Sequence, residues 1–150
     1  MRSKVKEAAR DLGLYVELKT LGASTATVAD AAAAMDCEPG QIAKSIVFVM
    51  DGEPVVVVAS GRHRIDRDKV CLALDCAEGR QATPEEVRAA TGFPIGGVPP
   101  IGHNLPVIFD TALLDYERIY AAGGDPNTLF EVAPRDLAGS VHALVAPVGE

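Results

Sequence analysis

The sequence predicts a single α/β domain, and three observations carry that prediction. Two β-branched apolar runs, Ser45–Met50 and Pro54–Ala59, meet at Asp51-Gly52. An Asp-Gly pair between such runs signals a hairpin, because both turn positions need positive φ. Helical signals flank the hairpin, with an alanine-rich segment before it and the capping box Thr83-Pro84-Glu85-Glu86 after it. Finally, 150 residues with 48% hydrophobic content fill one core, with no repeat or linker to divide residues 1–150.

Taken in order, Ser3 to Leu14 carries Val5, Ala8, Ala9 and Leu12 at helical spacing, with Ser3 as the expected N-cap and Gly13 as the stop. Tyr15–Leu18 alternates like a short strand. A second helix is expected to start near Thr25 or Thr27 and run through Ala31–Ala34 to Met35, where alanine favours both helix and close packing. Glu38-Pro39-Gly40 interrupts the chain before the hairpin. The hairpin's continuous rather than alternating apolarity predicts strands covered on both faces. Asp66–Leu74 reads as a helix. The helix opened by Thr83 should end near Thr91, with Gly92 as its C-terminal stop.

Phe93–His103 holds three glycines and three prolines in eleven residues, so neither helix nor regular strand can persist there. Leu105–Phe109 reads as a strand, at an edge or beginning only at Pro106. Thr111–Tyr116 suggests a short turn. Arg118–Ala121 and Thr128–Val132 suggest a hairpin across residues 123–127, and Pro134–Ala138 a closing helical turn.

Composition narrows the function. With 14 Lys+Arg against 21 Asp+Glu the net charge is -7, which opposes a DNA or RNA coat needing a basic stripe to displace counterions. No apolar run approaches the roughly 20 residues that cross a bilayer, and Met1–Glu7 lacks a signal-peptide core, so no membrane partner and a cytoplasmic location are expected. Cys37, Cys71 and Cys76 match no zinc or redox spacing, and with His63, His103 and His142 they form no ligand pattern. No metal is expected.

Three features could carry chemistry. Lys44 is the only cation between Leu21 and Gly61 and stands at the mouth of an apolar strand. It either snorkels to solvent or serves an anion. Gly96-Gly97, within the Gly-Pro loop, could bring backbone N–H groups close to a ligand as an oxyanion hole, or the loop could be a rigid connection. It is no P-loop, since Ala89–Glu117 contains neither Lys nor Arg. Arg62-His63-Arg64 with Arg67 and Lys69 is the densest basic patch, either a solvated helix start or a phosphate contact. G-x-S-x-G is absent.

The alanine-rich helix, Ile42-Ala43-Lys44-Ser45, the apolar hairpin and Thr91–His103 follow one another in a characteristic order, continued by Arg118–Gly124 and Val132–Leu137. On these motifs, from about Thr25 to Leu137, the chain resembles the YbaK/ProX family of freestanding aminoacyl-tRNA editing proteins, related to the editing domain of bacterial prolyl-tRNA synthetases. The resemblance implies a mixed, largely antiparallel, barrel-like sheet flanked by helices. It implies hydrolysis of the ester on a mischarged tRNA, such as proline tRNA carrying alanine or 2-aminobutyrate, without cofactor. The partners would be the aminoacylated 3′ end and prolyl-tRNA synthetase. Lys44, Gly96 and Gly97 would be catalytic. Ser45, Thr25, Ser60, Gly61, Pro99, Gly102, His103, Ala122 and Gly123 would bind substrate. Ala122 and Leu129 point to a small aliphatic side chain. The rival readings are a non-catalytic module that binds aminoacyl-tRNA or a synthetase, and a small-molecule ester hydrolase.

Overall fold

A computed structural model describes residues 2–21, 27–125 and 127–150. Five helices flank an eight-stranded mixed sheet: α1 (Arg2–Asp11), β1 (Leu18–Thr20), α2 (Val28–Met35), β2 (Ile42–Met50), β3 (Glu53–Ser60), α3 (Arg67–Leu74), β4 (Gly79–Gln81), α4 (Pro84–Thr91), β5 (Val107–Asp110), β6 (Ile119–Ala122), β7 (Thr128–Val132), α5 (Pro134–Ser140) and β8 (Leu144–Ala146). The strand order is β1-β7-β6-β2-β3-β5-β8, with β4 also paired to β2. Pairs β1·β7, β2·β3, β2·β4 and β6·β7 are antiparallel, while β2·β6, β3·β5 and β5·β8 are parallel.

The β2–β3 hairpin turns at Asp51 and Gly52, which have φ of 49° and 84° as the Asp-Gly signal requires. Val55, Val57 and Ala59 of β3 pack with Phe48, Met50, Val70 and Ile108. Val56 and Val58 face the larger core around Phe93, Phe109 and Phe130. Both faces of this strand are therefore covered, as its continuous apolarity predicts. A third cluster, Ala31, Ala32, Ile42 and Leu129, seats α2 on β2 and β7. Small alanine side chains let the helix come close.

The caps follow the sequence. Thr27 accepts from the Asp30 N–H, starting α2 at the second of the two expected positions; Thr25 lies outside the described residues. Thr83 and Glu86 form the reciprocal box of α4, and Gly92 closes it at φ 78°. Arg80, then the Thr83 N–H, hold the Glu86 carboxyl down to about 2. Thr83→Ala should destabilise the domain by about 1 kcal/mol, lowering Tm by roughly 2–4 °C in a thermal melt. An unchanged melt would show that the box contributes nothing.

Several expectations are corrected. Ser3 lies inside α1, which already includes Arg2, so it is not the cap. The first strand begins at Leu18 rather than Tyr15, because its register is set by β7 and Leu18 is the first residue with a partner there. Tyr15 instead stands 90% exposed. Of the two alternatives for Leu105–Phe109 the edge position is overturned: β5 starts at Val107, just past Pro106, and lies between β3 and β8 with all four residues buried. Pro106 precedes it and needs no N–H of its own to accept from Val56. The closing helix extends to Ser140. Strands β4 and β8, three residues each, carried no periodic signal in the sequence.

Candidate active site in a gap of the sheet

Strand β2 is nine residues long, and on the edge away from β3 it has two short neighbours instead of one long one. β6 pairs with Ile42 and Ala43, and β4 with Phe48, Val49 and Met50. Between them, Lys44–Ile46 has no strand partner on that edge among the described residues. Backbone direction alternates along a strand. The Ile42 carbonyl accepts from Gly61 on the β3 side, and the Val47 carbonyl accepts from Ala82 on the β4 side, at 2.8 and 2.9 Å. Ser45 has the parity of Val47, so its N–H and C=O point into the gap.

A cavity of about 150 Å³ occupies this gap. Its floor is Ile42–Val47, and the start of α2 contributes Val28 with the N-cap Thr27. Ala82 and Gln81 close the side beyond β4, with Val87 of α4 behind them. Ile95, Gly96 and Val98 of the Gly-Pro loop form another wall, completed by Ala122 and Leu129 from the β6–β7 hairpin. The walls are mainly aliphatic. Among the described residues lining the cavity, Lys44 is the only charged one.

Lys44 is half-buried, and its side chain forms no ion pair or hydrogen bond with the described residues. Its ammonium therefore lies beside an apolar chamber with no counter-charge among the described residues, where an anion or a developing oxyanion would be stabilised more than in water. Ser45 stands on the opposite face of β2, and its hydroxyl oxygen is buried without a hydrogen-bond partner. No histidine or carboxylate lines the cavity among the described residues, and the Lys44 side chain leaves β2 on the face opposite Ser45, so no nucleophile–base pair of the usual kind is assembled there. Among those residues, no group of three or more His, Cys, Asp or Glu could hold a metal ion.

The Gly-Pro loop is ordered by a turn. Gly96, at φ 85°, lets the Gly97 N–H donate back to the Pro94 carbonyl at 3.0 Å. Gly97 itself packs on the β6–β7 connection: a Cβ there would lie 3.1 Å from the Asp125 Cα. Gly96 lines the cavity, and its N–H makes no hydrogen bond among the described residues; the Gly97 N–H is already engaged.

The structure thus brings together Lys44, Ser45, Gly96 and Ala122 of the expected set. Of the others, Thr25 lies outside the described residues, and the rest do not line the cavity. Ser60 is fully buried, donating to the Gly40 carbonyl from its hydroxyl and to Asp110 from its N–H. A Cβ at Gly61 would sit 2.6 Å from a Val28 methyl, so glycine there lets β3 approach the helix that walls the cavity. Gly123 donates to the Thr128 carbonyl within the hairpin. Pro99 is buried in the loop, and Gly102 packs on the Phe93 ring. His103 does not line the cavity; burial pushes its pKa down, and its Nε2 has no partner. Three members of the basic patch are engaged within the chain: Arg62 pairs with Asp115 at 2.9 Å, His63 with Asp110 at 2.5 Å, and Lys69 donates to the Gly149 carbonyl.

Sequence reading did not single out Val28, Val87, Ile95 and Val98 as site residues. They are ordinary aliphatics whose role depends on where β4 and β6 stop, and no local pattern marks that.

Comparison with known proteins agrees with this architecture. Residues 23–139 match the model of the aminoacyl-tRNA editing domain. The protein YwhH of Bacillus subtilis is 35% identical over 118 residues, 77% of this chain and 74% of its own. The proline–tRNA ligase of Solidesulfovibrio magneticus is 39% identical over 88 residues, 58% of this chain but only 15% of the ligase. Among solved structures, a candidate trans-editing enzyme for prolyl-tRNA synthetase superimposes with a TM-score of 0.93 at 43% identity, covering 99% of this chain and 96% of the other. The hypothetical protein APE2540 gives 0.91 at 33% identity, covering 98% and 99%. With its fold, its strand-gap cavity and a family match over most of its length, the chain belongs to the aminoacyl-tRNA editing-domain family.

Proposed function

We propose that this domain is a freestanding deacylase that hydrolyses the ester of a mischarged tRNA, with proline tRNA carrying a small amino acid as the substrate class. The observation that carries this reading is the small, mainly aliphatic cavity with Lys44 as its one charged lining residue among those described. A synthetase gains only about 1–3 kcal/mol from one methylene, so it rejects smaller amino acids poorly, and a second, smaller site corrects the product. Here about 150 Å³ admits a side chain of alanine to 2-aminobutyrate size. Lys44 stabilises negative charge at the reacting ester, and the Gly96 N–H orients the carbonyl. Water is the nucleophile, assisted by a ribose hydroxyl of the substrate.

The partners in this reading are the aminoacylated 3′ end and prolyl-tRNA synthetase, in the cytoplasm. Among the described residues no helix is long and apolar enough to cross a membrane. With a net charge of -7, grip on the tRNA body is weak and salt-sensitive.

A deacylation panel tests the reading. The protein should release at least one of alanine, serine, cysteine or 2-aminobutyrate from proline tRNA. If all four esters survive, the reading fails. Binding without turnover would identify a non-catalytic module, and turnover of amino-acid esters without tRNA a small-molecule hydrolase.

A further inference from the structure

The Ser45 hydroxyl is the least explained group in the cavity. It belongs to a residue that lines the chamber, yet its oxygen is buried and has no hydrogen-bond partner among the described residues. Buried hydroxyls are normally satisfied, so an orphan at a ligand site points to a partner that arrives with the ligand. Among the described lining residues the other uncharged polar side chains are Thr27 and Gln81, and neither bonds the Ser45 oxygen. Ser45 sits on the face of β2 shared by Ala43 and Val47, and the cavity residues of that core are Ala82, Val87 and Val98, all aliphatic. Thr27 accepts the Asp30 N–H as the cap of α2. Lys44, one residue away, points to the opposite face of the strand.

Resting on the deacylase reading above, we propose that Ser45 is a specificity-determining residue and that the favoured amino acid carries a side-chain hydroxyl, serine being the one that matches the chamber's size. A seryl side chain gives the Ser45 oxygen a donor or an acceptor. A 2-aminobutyryl side chain has nearly the same shape, but puts a methyl group against that oxygen and leaves it unpaired. Discrimination of this kind is asymmetric. A pocket tells methylene from none only weakly, whereas a site that needs a hydroxyl penalises the analogue lacking it. The inference reverses the aliphatic preference that Ala122 and Leu129 suggest; those residues set the size of the chamber, and Ser45 sets its polarity.

The test compares seryl- and 2-aminobutyryl-tRNA, on the same proline tRNA, with each rate corrected for spontaneous hydrolysis. The wild-type protein should favour the seryl ester by about tenfold or more, the usual scale for one neutral hydrogen bond whose loss strands a buried group. In Ser45→Ala the ratio should collapse to about one. The melting temperature of this variant should not fall, since the hydroxyl it removes has no partner in the unliganded protein. A wild-type ratio of one or below overturns the inference, as does a Ser45→Ala variant that slows both esters equally, which would place the hydroxyl on the group all aminoacyl esters share. Cleavage of alanyl-tRNA with neither larger ester touched also overturns it, while the deacylase reading stands. If none of the esters is cleaved, the deacylase reading itself fails.

Discussion

Lys44→Ala is expected to lower the deacylation rate by about 10²–10³-fold, the range found when one preorganised charge-stabilising donor is removed from an active site. The size of the effect follows from the lysine's surroundings. No acidic residue lines the cavity among those described, so the charge is not spent on a counter-ion before substrate arrives. Its backbone pairs with Ala59 on the β3 side, and that ladder does not depend on the side chain. The variant should therefore keep its Tm while losing turnover. Lys44→Arg should restore little, because a planar guanidinium on a different stem does not reproduce a compact ammonium at that point. Measured single-turnover rates equal to wild type would refute the assigned role.

The second large effect concerns stability. Asp110, 1% exposed, ends β5 and gathers three donors: the Ser60 N–H at 2.9 Å, the Ala112 N–H at 3.0 Å, and His63 Nε2. Asp110→Ala strips the acceptor from all of them at once. A fully buried group left unpaired costs about 1–3 kcal/mol; only the Ser60 N–H is fully buried and the other two donors are partly so, which brings the expected loss to about 2–5 kcal/mol in all. That is a large share of the roughly 5–15 kcal/mol that holds a domain of this kind together. Urea unfolding should show a lower midpoint with an unchanged slope, and Asp110→Asn should fall between the two proteins. An unchanged midpoint would mean that the three donors find water at no cost. Together the two substitutions separate site from scaffold: one removes turnover and spares the fold, the other weakens the fold behind the site.

How much of this was legible in the sequence depends on how local each signal is. The Asp51-Gly52 turn, the Thr83–Glu86 box and the Gly92 stop are each specified within a few residues, and the structure forms all three. Lys44 stood out because it was alone among acidic neighbours, and Gly96 because two adjacent glycines demand an explanation. What the sequence withheld is relational. The three-residue strands β4 and β8 exist only because a longer strand offers them an edge, so no periodicity announces them. Gly97 reads like Gly96, yet the turn it closes turns its N–H back to Pro94. Ser60 and Gly61, which the family resemblance places at the site, do not line the cavity; Ser60 bonds Gly40 and Asp110, and Gly61 packs on Val28.

The break between β6 and β4 has a bearing on how such domains diversify. The chamber exists because two backbone ladders stop short of each other, and ladder bonds are indifferent to which side chains the strands carry. Val28, Ala122 and Leu129 can thus be exchanged for larger, smaller or more polar residues without removing a backbone bond that keeps the chamber open. Selectivity can drift while architecture stays put. A relative sharing only 33% of its residues yet superimposing at a TM-score of 0.91 is what that separation would leave behind.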